Sequence, residues 1–388
     1  MMSFLLFLLS PFFGFILALR DVIISKNSVW KARISILTIS VFIGVINATK
    51  IPENDLAVYL DIYSLAGEIK LENYLVSFMR EPGFMILNYC MFSLLNGNST
   101  LYVVVLSTIS YVFLLSAIYR FHFLIEGKKS SLFVAVFVAV SFPNLLLASG
   151  HLVRQFLSFS ILLYIFIRFL HNGSRIPRAT KVLALTLPIT IHTSSALGLL
   201  SLFRRRRRSV SLWNSSGYLF LIVFFGVKLP FYVSGLLSPL FGNIPVLGYA
   251  LKRINETDTA WQTETLGFLS LGLLIFNYAV TYYSIGFRNI EEVIVVPILR
   301  VNTFLMAFIF SLYNYTEIAL RFSLLSFFLF PLSLYLLCDR LSKKIVLVFL
   351  PFLVISMFAW VGYKLSYGQF HYVGLSRLLM PVNYIIYE

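Results

Sequence analysis

The stretch 131-SLFVAVFVAVSFPNLLLASGHLVRQFLSFSILLYIFIRFL-170 is forty residues of almost unbroken hydrocarbon. About 20 apolar residues suffice for a helix to cross a bilayer. The stretch therefore reads as two spans, 131–149 and 152–170, with His151, Arg154 and Gln155 at their joint. An arginine at the centre of a membrane helix costs about 2.5–3.5 kcal/mol on insertion scales, so it persists where something compensates it.

The rest of the chain has the same texture. It has 388 residues, of which 59% are hydrophobic and 12% charged, against roughly 45–50% and 25% in soluble domains. Further apolar runs cover 2–19, 34–49, 100–119, 212–229, 266–286, 293–312, 317–338 and 345–362, with two ambiguous segments at 83–95 and 182–203. These runs predict an all-α, polytopic membrane protein with about 10–12 membrane helices. It reads as a single transmembrane domain over 1–388, without repeat or soluble module. The N-terminal run has no basic residue before it and no small-residue cleavage site, and is expected to be a retained first span.

The net charge of +15 does not indicate a nucleic-acid binder. The basic residues sit in short loops between apolar runs, as in the cytoplasmic loops of membrane proteins. The five arginines 204–208 read as a topology anchor at anionic lipid. Cys90 and Cys338 lie in apolar runs and have no metal-ligand spacing.

Charge bias orders the loops. With 20–33 inside, the acidic segment from 50 falls outside and 120–130 falls inside again. One crossing, 100–119, then separates them, and 83–95 becomes a juxtamembrane or re-entrant helix. Segment 182–203 is flanked by basic residues on both sides and is interrupted by Pro188 and His192. A broken, re-entrant helix keeps both flanks inside, which is allowed where protein or a wet cavity covers the freed backbone. The long outer loops are then about 50–99 and 230–265.

This topology gathers polar residues near the outer face. They are Asp55, Glu81, the group His151, Arg154 and Gln155, then His192, and finally Glu317 and Arg321. His151, Arg154/Gln155 and Ser158 recur at i, i+3/i+4 and i+7, and Asn314, Glu317 and Arg321 do likewise. Each set marks one helical face. Two guanidinium groups facing one cavity call for an anion between them, and phosphate or pyrophosphate matches the arginine fork. Simpler readings exist for each residue. Arg154 can snorkel to the interface. Glu317 and Arg321 can be an i, i+4 ion pair. His192 can satisfy broken-helix carbonyls, and Asp55 can cap a helix.

The order of these residues resembles a known family. Asp55 is followed by Tyr59 and Tyr63, then Glu81-Pro82-Gly83-Phe84, then Arg154-Gln155 opening a long helix. His192-Thr-Ser-Ser-Ala-Leu follows a basic loop, and an acid with Arg321 opens a late helix. The pattern, over roughly residues 35 to 340, is similar to the EpsG family of bacterial polysaccharide polymerases, which includes Wzy-type O-antigen polymerases. Asp55-Leu56 departs from the family's Asp-Tyr pair.

The resemblance implies a GT-C-like helical fold in the bacterial inner membrane, working at its outer, periplasmic face. It implies undecaprenyl-pyrophosphate-linked oligosaccharides as substrates and a chain-length regulator as a partner protein. The growing glycan would pass from its lipid carrier onto a new lipid-linked unit. Arg154 and Arg321 are then the expected pyrophosphate ligands. Asp55, His192 and Glu317 are the expected acid–base groups, with His151, Gln155 and Glu81 supporting. No metal or other cofactor is expected. Three alternatives share much of the pattern. They are a transferase using polyprenyl-phosphate sugars, a flippase for the lipid-linked unit, and a membrane acyltransferase.

Overall fold

The structure, a computed structural model, describes residues 2–24, 29–77, 81–172, 176–196, 268–286, 295–311 and 316–341, with isolated positions elsewhere. The expected spans 212–229 and 345–362 and the outer loop 230–265 lie outside these residues, apart from such single positions. The described segments form fourteen helices, α1 to α14, and no strand. The chain divides into two compact units, residues 1–199 with 338–388, and residues 200–337.

The first unit contains α1 (Met2–Leu9), α2 (Pro11–Ile24), α3 (Val29–Ala48), α4 (Asp55–Leu65), α5 (Leu71–Ser77) and α6 (Pro82–Leu95). It continues with α7 (Ser99–Ile125), α8 (Lys129–Ser141), α9 (Pro143–His151), α10 (Val153–Asn172) and α11 (Arg178–Ile191). The second unit contains α12 (Phe268–Gly286), α13 (Val296–Ser311) and most of α14 (Thr316–Arg340). Among the described residues four helices, α3, α7, α10 and α14, are long and apolar enough to cross a membrane, five if the bent pair α8 and α9 is counted as one span rather than a re-entrant loop. Helix α6 occupies the ambiguous segment 83–95 and is shorter than a span.

Three breaks differ from the sequence expectation. The run 2–19 is two helices, because the chain turns at Ser10-Pro11 and folds back until the backbone of Phe7 abuts Gly14. Proline donates no N–H and so ends a helix before it cheaply. The run 131–149 bends by 46° between α8 and α9. Phe142 precedes Pro143 and is extended (φ −67°, ψ 115°), the conformation that a following proline imposes. A third break, at Leu152 (φ −99°, ψ 47°), ends α9 at His151. His151 therefore sits on a different helix from Arg154 and Ser158, and the single polar face drawn through all three is corrected to Arg154 and Ser158 on α10.

The break expected at Pro188–His192 falls at the later end of that range. Helix α11 runs through that proline and ends at Ile191; His192 is extended (φ −153°, ψ 123°) and a short 3-10 turn follows to Ala196. Residues 197–203 lie outside the described part.

Small residues let these helices meet. A Cβ at Gly44 would lie 2.6 Å from the Val104 carbonyl oxygen, so α3 lies directly against α7. At the far end of α7 the two basic loops expected on the inner side meet. The Lys128 N–H donates to Asp339 Oδ1 (2.7 Å), and Lys128 Nζ donates to the carbonyls of Asp339 (2.6 Å) and Leu341 (3.0 Å).

In the second unit a buried polar network ties three helices. Asn277 of α12 donates to the Ser326 carbonyl (2.8 Å), and Asn302 of α13 donates to Thr281 (2.9 Å) and accepts from Ser326 (3.0 Å). Side-chain amides and hydroxyls are the usual adhesive between membrane helices, at about 0.6 kcal/mol per bond on average.

Candidate functional site

Glu81, Arg154 and His192 are separated by at least 38 residues in sequence and meet in the first unit. Each is delivered by a helix end. Glu81 is the residue before α6, where Pro82 supplies a first helical position that needs no N–H. Its side chain makes no capping bond to its own helix and turns instead to its neighbours. Arg154 lies in the first turn of α10, and His192 follows the last residue of α11.

Gly83 explains how α6 reaches α11. A Cβ there would overlap Thr190 Oγ1 and lie 2.9 Å from the Thr190 Cβ and 3.1 Å from its carbonyl carbon. With only hydrogen at that point, the start of α6 meets the end of α11, and Glu81 reaches the turn beyond it. Glu81 Oε1 accepts the Thr193 N–H (3.3 Å) and lies 3.9 Å from His192 Nε2. Glu81 Oε2 forms an ion pair with Arg154 Nη1. The compensation for the arginine is thus, first, a buried carboxylate from another helix.

Aromatic rings supply the second part. The Arg154 guanidinium carbon lies 5.1 Å over the Tyr59 ring and 5.8 Å over the Phe84 ring. Such contacts contribute about 0.5–2 kcal/mol, more where water is excluded. Tyr59 and Phe84 join Leu56, Val153, Leu157 and Ile191 in one apolar cluster beneath the charges. Arg154 Nε is buried and has no hydrogen-bond partner among the described residues.

The tautomer of His192 follows from its neighbours. The Ser194 N–H donates to His192 Nδ1 (3.2 Å), and Ser194 Oγ lies 2.6 Å from the same nitrogen. A backbone N–H can only donate, so Nδ1 accepts and the neutral ring carries its proton on Nε2, facing Glu81. One helical turn along α10 from Arg154, Ser158 donates to the Pro188 carbonyl (2.6 Å) and touches Ser195. That carbonyl also accepts the His192 N–H (2.9 Å).

The other expected residues are placed as follows. Gln155 is buried in the first turn of α10. Asp55 opens α4, half-buried, and His151 ends α9, also half-buried. Glu317 falls in the first turn of α14, its side chain outside the described part; Arg321 is half-buried on the same helix in the second unit. Asn314 lies outside the described residues. Sequence reasoning missed Asn47 and Lys50. Both are buried at the end of α3, where Asn47 donates to Ser149 (2.8 Å) and Ser107 (3.1 Å) and Lys50 donates to the Gly150 carbonyl (3.3 Å). Their only sequence signal is a polar pair closing an apolar run, which reads equally as a span end. Among the described residues no group of three or more His, Cys, Asp or Glu is arranged to hold a metal.

Several apolar helices of spanning length, no strand among the described residues and polar side chains clustered at helix ends define a polytopic α-helical membrane protein. The chain belongs to the EpsG family, whose model matches residues 29–373, most of its length. That family comprises Wzy-like polysaccharide polymerases, so the resemblance drawn from the motifs holds. Neither the curated proteins nor the solved structures gave a match.

Proposed function

We propose that this chain is a glycosyltransferase that polymerises polysaccharide repeat units carried on undecaprenyl pyrophosphate, at the outer face of the bacterial inner membrane. The observation that carries the reading is the meeting of Glu81, Arg154 and His192, three residues of the family-like motifs, at one end of the first unit. Helix α7 has 27 residues and spans about 40 Å at 1.5 Å per residue. Tyr102, near its start, adjoins Tyr63 of the site's apolar cluster, while the basic contact of Lys128 and Asp339 lies past its end. Basic loops favour the cytoplasmic side, which supports an exterior site.

The chemistry assigns one role to each group. The bond from the sugar C1 to the pyrophosphate oxygen breaks as a hydroxyl of the incoming unit bonds to C1, and a single displacement inverts that carbon. Arg154 stabilises the departing pyrophosphate through donors that Glu81 does not take, a form of preorganised charge that is often the largest catalytic term. His192 receives the hydroxyl proton at Nδ1 by way of the Ser194 hydroxyl beside it, and Glu81, which faces Nε2, stabilises the imidazolium that results. Arg321 as a second pyrophosphate ligand, and Asp55 and Glu317 as further acids, rest on the sequence pattern alone. A chain-length regulator as partner rests on the family resemblance.

The test is genetic and chemical. Cells carrying Arg154→Ala or His192→Ala in place of the native chain should make single repeat units and no long polymer, with the protein still inserted. Loss of single units together with polymer would point instead to a transferase building the unit. Full polymer from either variant would remove that residue from the mechanism.

A further inference from the structure

Lys50 has no part in the chemistry above, yet it is 4% exposed. A lysine is almost never fully buried unless something holds its charge. Its Nζ donates to the carbonyl of Gly150, in the last turn of α9. The last four carbonyls of a helix lack intrahelical partners and carry the negative end of its dipole, so a cation there is favourable. Three residues away Asn47 grips the same turn through Ser149. Gly150 leaves no room for slack, since a Cβ would lie 2.8 Å from Asn47 Oδ1. The end of α3 therefore clasps the end of α9. Immediately beyond come the break at Leu152 and then Arg154.

The neighbouring segments carry further charged and polar groups. Glu53, in the link to α4, and Asp55, the first residue of α4, act on the ammonium electrostatically. His151 adjoins its acceptor on α9, α7 presents the hydroxyl of Ser107 to Asn47, and Arg154 opens α10.

We propose that Lys50 is a positioning residue for the Arg154 site: its ammonium, seated on the Gly150 carbonyl, fixes the Leu152 break and so the register at which Arg154 meets Glu81. Asp55 then serves as counter-charge to Lys50 rather than as the base. The activity part of the inference rests on the polymerase reading; the structural part does not. Burial lowers the Lys50 pKa to about 8, against the opposing pull of Glu53 and Asp55. Near neutral pH the side chain is charged, and by pH 9 only about a tenth of it remains so.

This sets activity against stability. A positioning cation loses its grip as pH rises through about 8, so polymerisation falls. The fold itself gains, because a folded-state lysine with a lowered pKa binds fewer protons than the unfolded chain above pH 8. A purely structural lysine would make activity and melting temperature move together.

The experiment uses the full chain in membrane vesicles, supplied with lipid-linked repeat units extracted from the host, between pH 6.5 and 9.5. Native protein should lose about fivefold of its polymerisation rate between pH 8 and 9 while its melting temperature does not fall. Lys50→Arg should keep the neutral rate and abolish that alkaline loss. Lys50→Met should lose at least tenfold at every pH. It should also speed amide exchange across 148–155 at pH 7.5. An unchanged rate in Lys50→Met, or the same alkaline loss in Lys50→Arg, overturns the positioning role. Unchanged amide exchange in Lys50→Met overturns the clasp itself. Absence of polymer from native protein at every pH defeats the polymerase reading, and the exchange measurement still decides the clasp.

Discussion

The ion pair of Glu81 with Arg154 yields the sharpest energetic prediction. The two side chains are 6% and 21% exposed, so solvent screens the pair only partly. Two unit charges about 4 Å apart interact by about 4 kcal/mol at an effective dielectric of 20. Removing one partner of a buried pair costs about 3–5 kcal/mol, since the other charge is left uncompensated. Glu81→Gln should therefore destabilise the protein by about 3–5 kcal/mol. It strands Arg154 and exchanges the carboxylate facing His192 and the Thr193 N–H for a neutral amide. Arg154→Met should cost less, because Glu81 keeps the Thr193 N–H and His192. The double variant should recover part of the loss, giving a coupling of about 2–3 kcal/mol, at the upper end for residues in direct contact. Thermal denaturation of the detergent-solubilised chain measures the cycle, and the polymer ladder is read on the same variants. Stability should return in the double variant and polymer should not. Effects that add within about 0.5 kcal/mol would refute the pair as a stabilising unit. Polymer from the double variant would refute Arg154 as a ligand of the leaving group.

The other predictions concern single contacts. Gly83→Ala should destabilise by about 1–3 kcal/mol, the usual cost of overpacking, and shorten the polymer, with partial recovery on adding Thr190→Ala; denaturation and ladder length together check this. Arg154→Lys keeps the charge and loses the planar fork, so it should restore little polymer over Arg154→Ala. Lys50 should make the native fold more stable as pH rises from about 8 toward 10.5, by about 3 kcal/mol at 1.36 kcal/mol per pH unit across that window. Denaturation across that window measures it, and the slope should flatten in Lys50→Met. Asn302→Leu should cost about 1–2 kcal/mol by removing its bonds to Thr281 and Ser326, as read in the melting temperature.

The sequence carried the fold class because a bilayer demands long apolar runs, and α3, α7, α10 and α14 answer that demand directly. It also carried the three residues of the central cluster, since charges at helix ends on one side must share whatever compensates them. What it hid were backbone breaks inside apolar runs. Pro11 and Pro143 each sit in an uninterrupted hydrophobic pattern, and periodicity does not tell a straight span from two helices folded or bent at a proline. The break at Leu152 has no proline at all and follows directly on Ser149 and Gly150, which Asn47 and Lys50 engage from about a hundred residues earlier. For the same reason Glu81 was legible as a polar residue near the site but not as the partner of Arg154. The ion pair depends on Gly83 closing on Thr190, a contact between segments 107 residues apart.

The central claim is that this protein joins lipid-linked repeat units through the Arg154 site. It is tested most directly by purified protein in vesicles given undecaprenyl-pyrophosphate-linked repeats, with products and released lipid counted together. One undecaprenyl pyrophosphate should appear for each new glycosidic bond, and none from Arg154→Ala. Repeats that cross the bilayer unjoined, or polymer formed equally by Arg154→Ala, would contradict it.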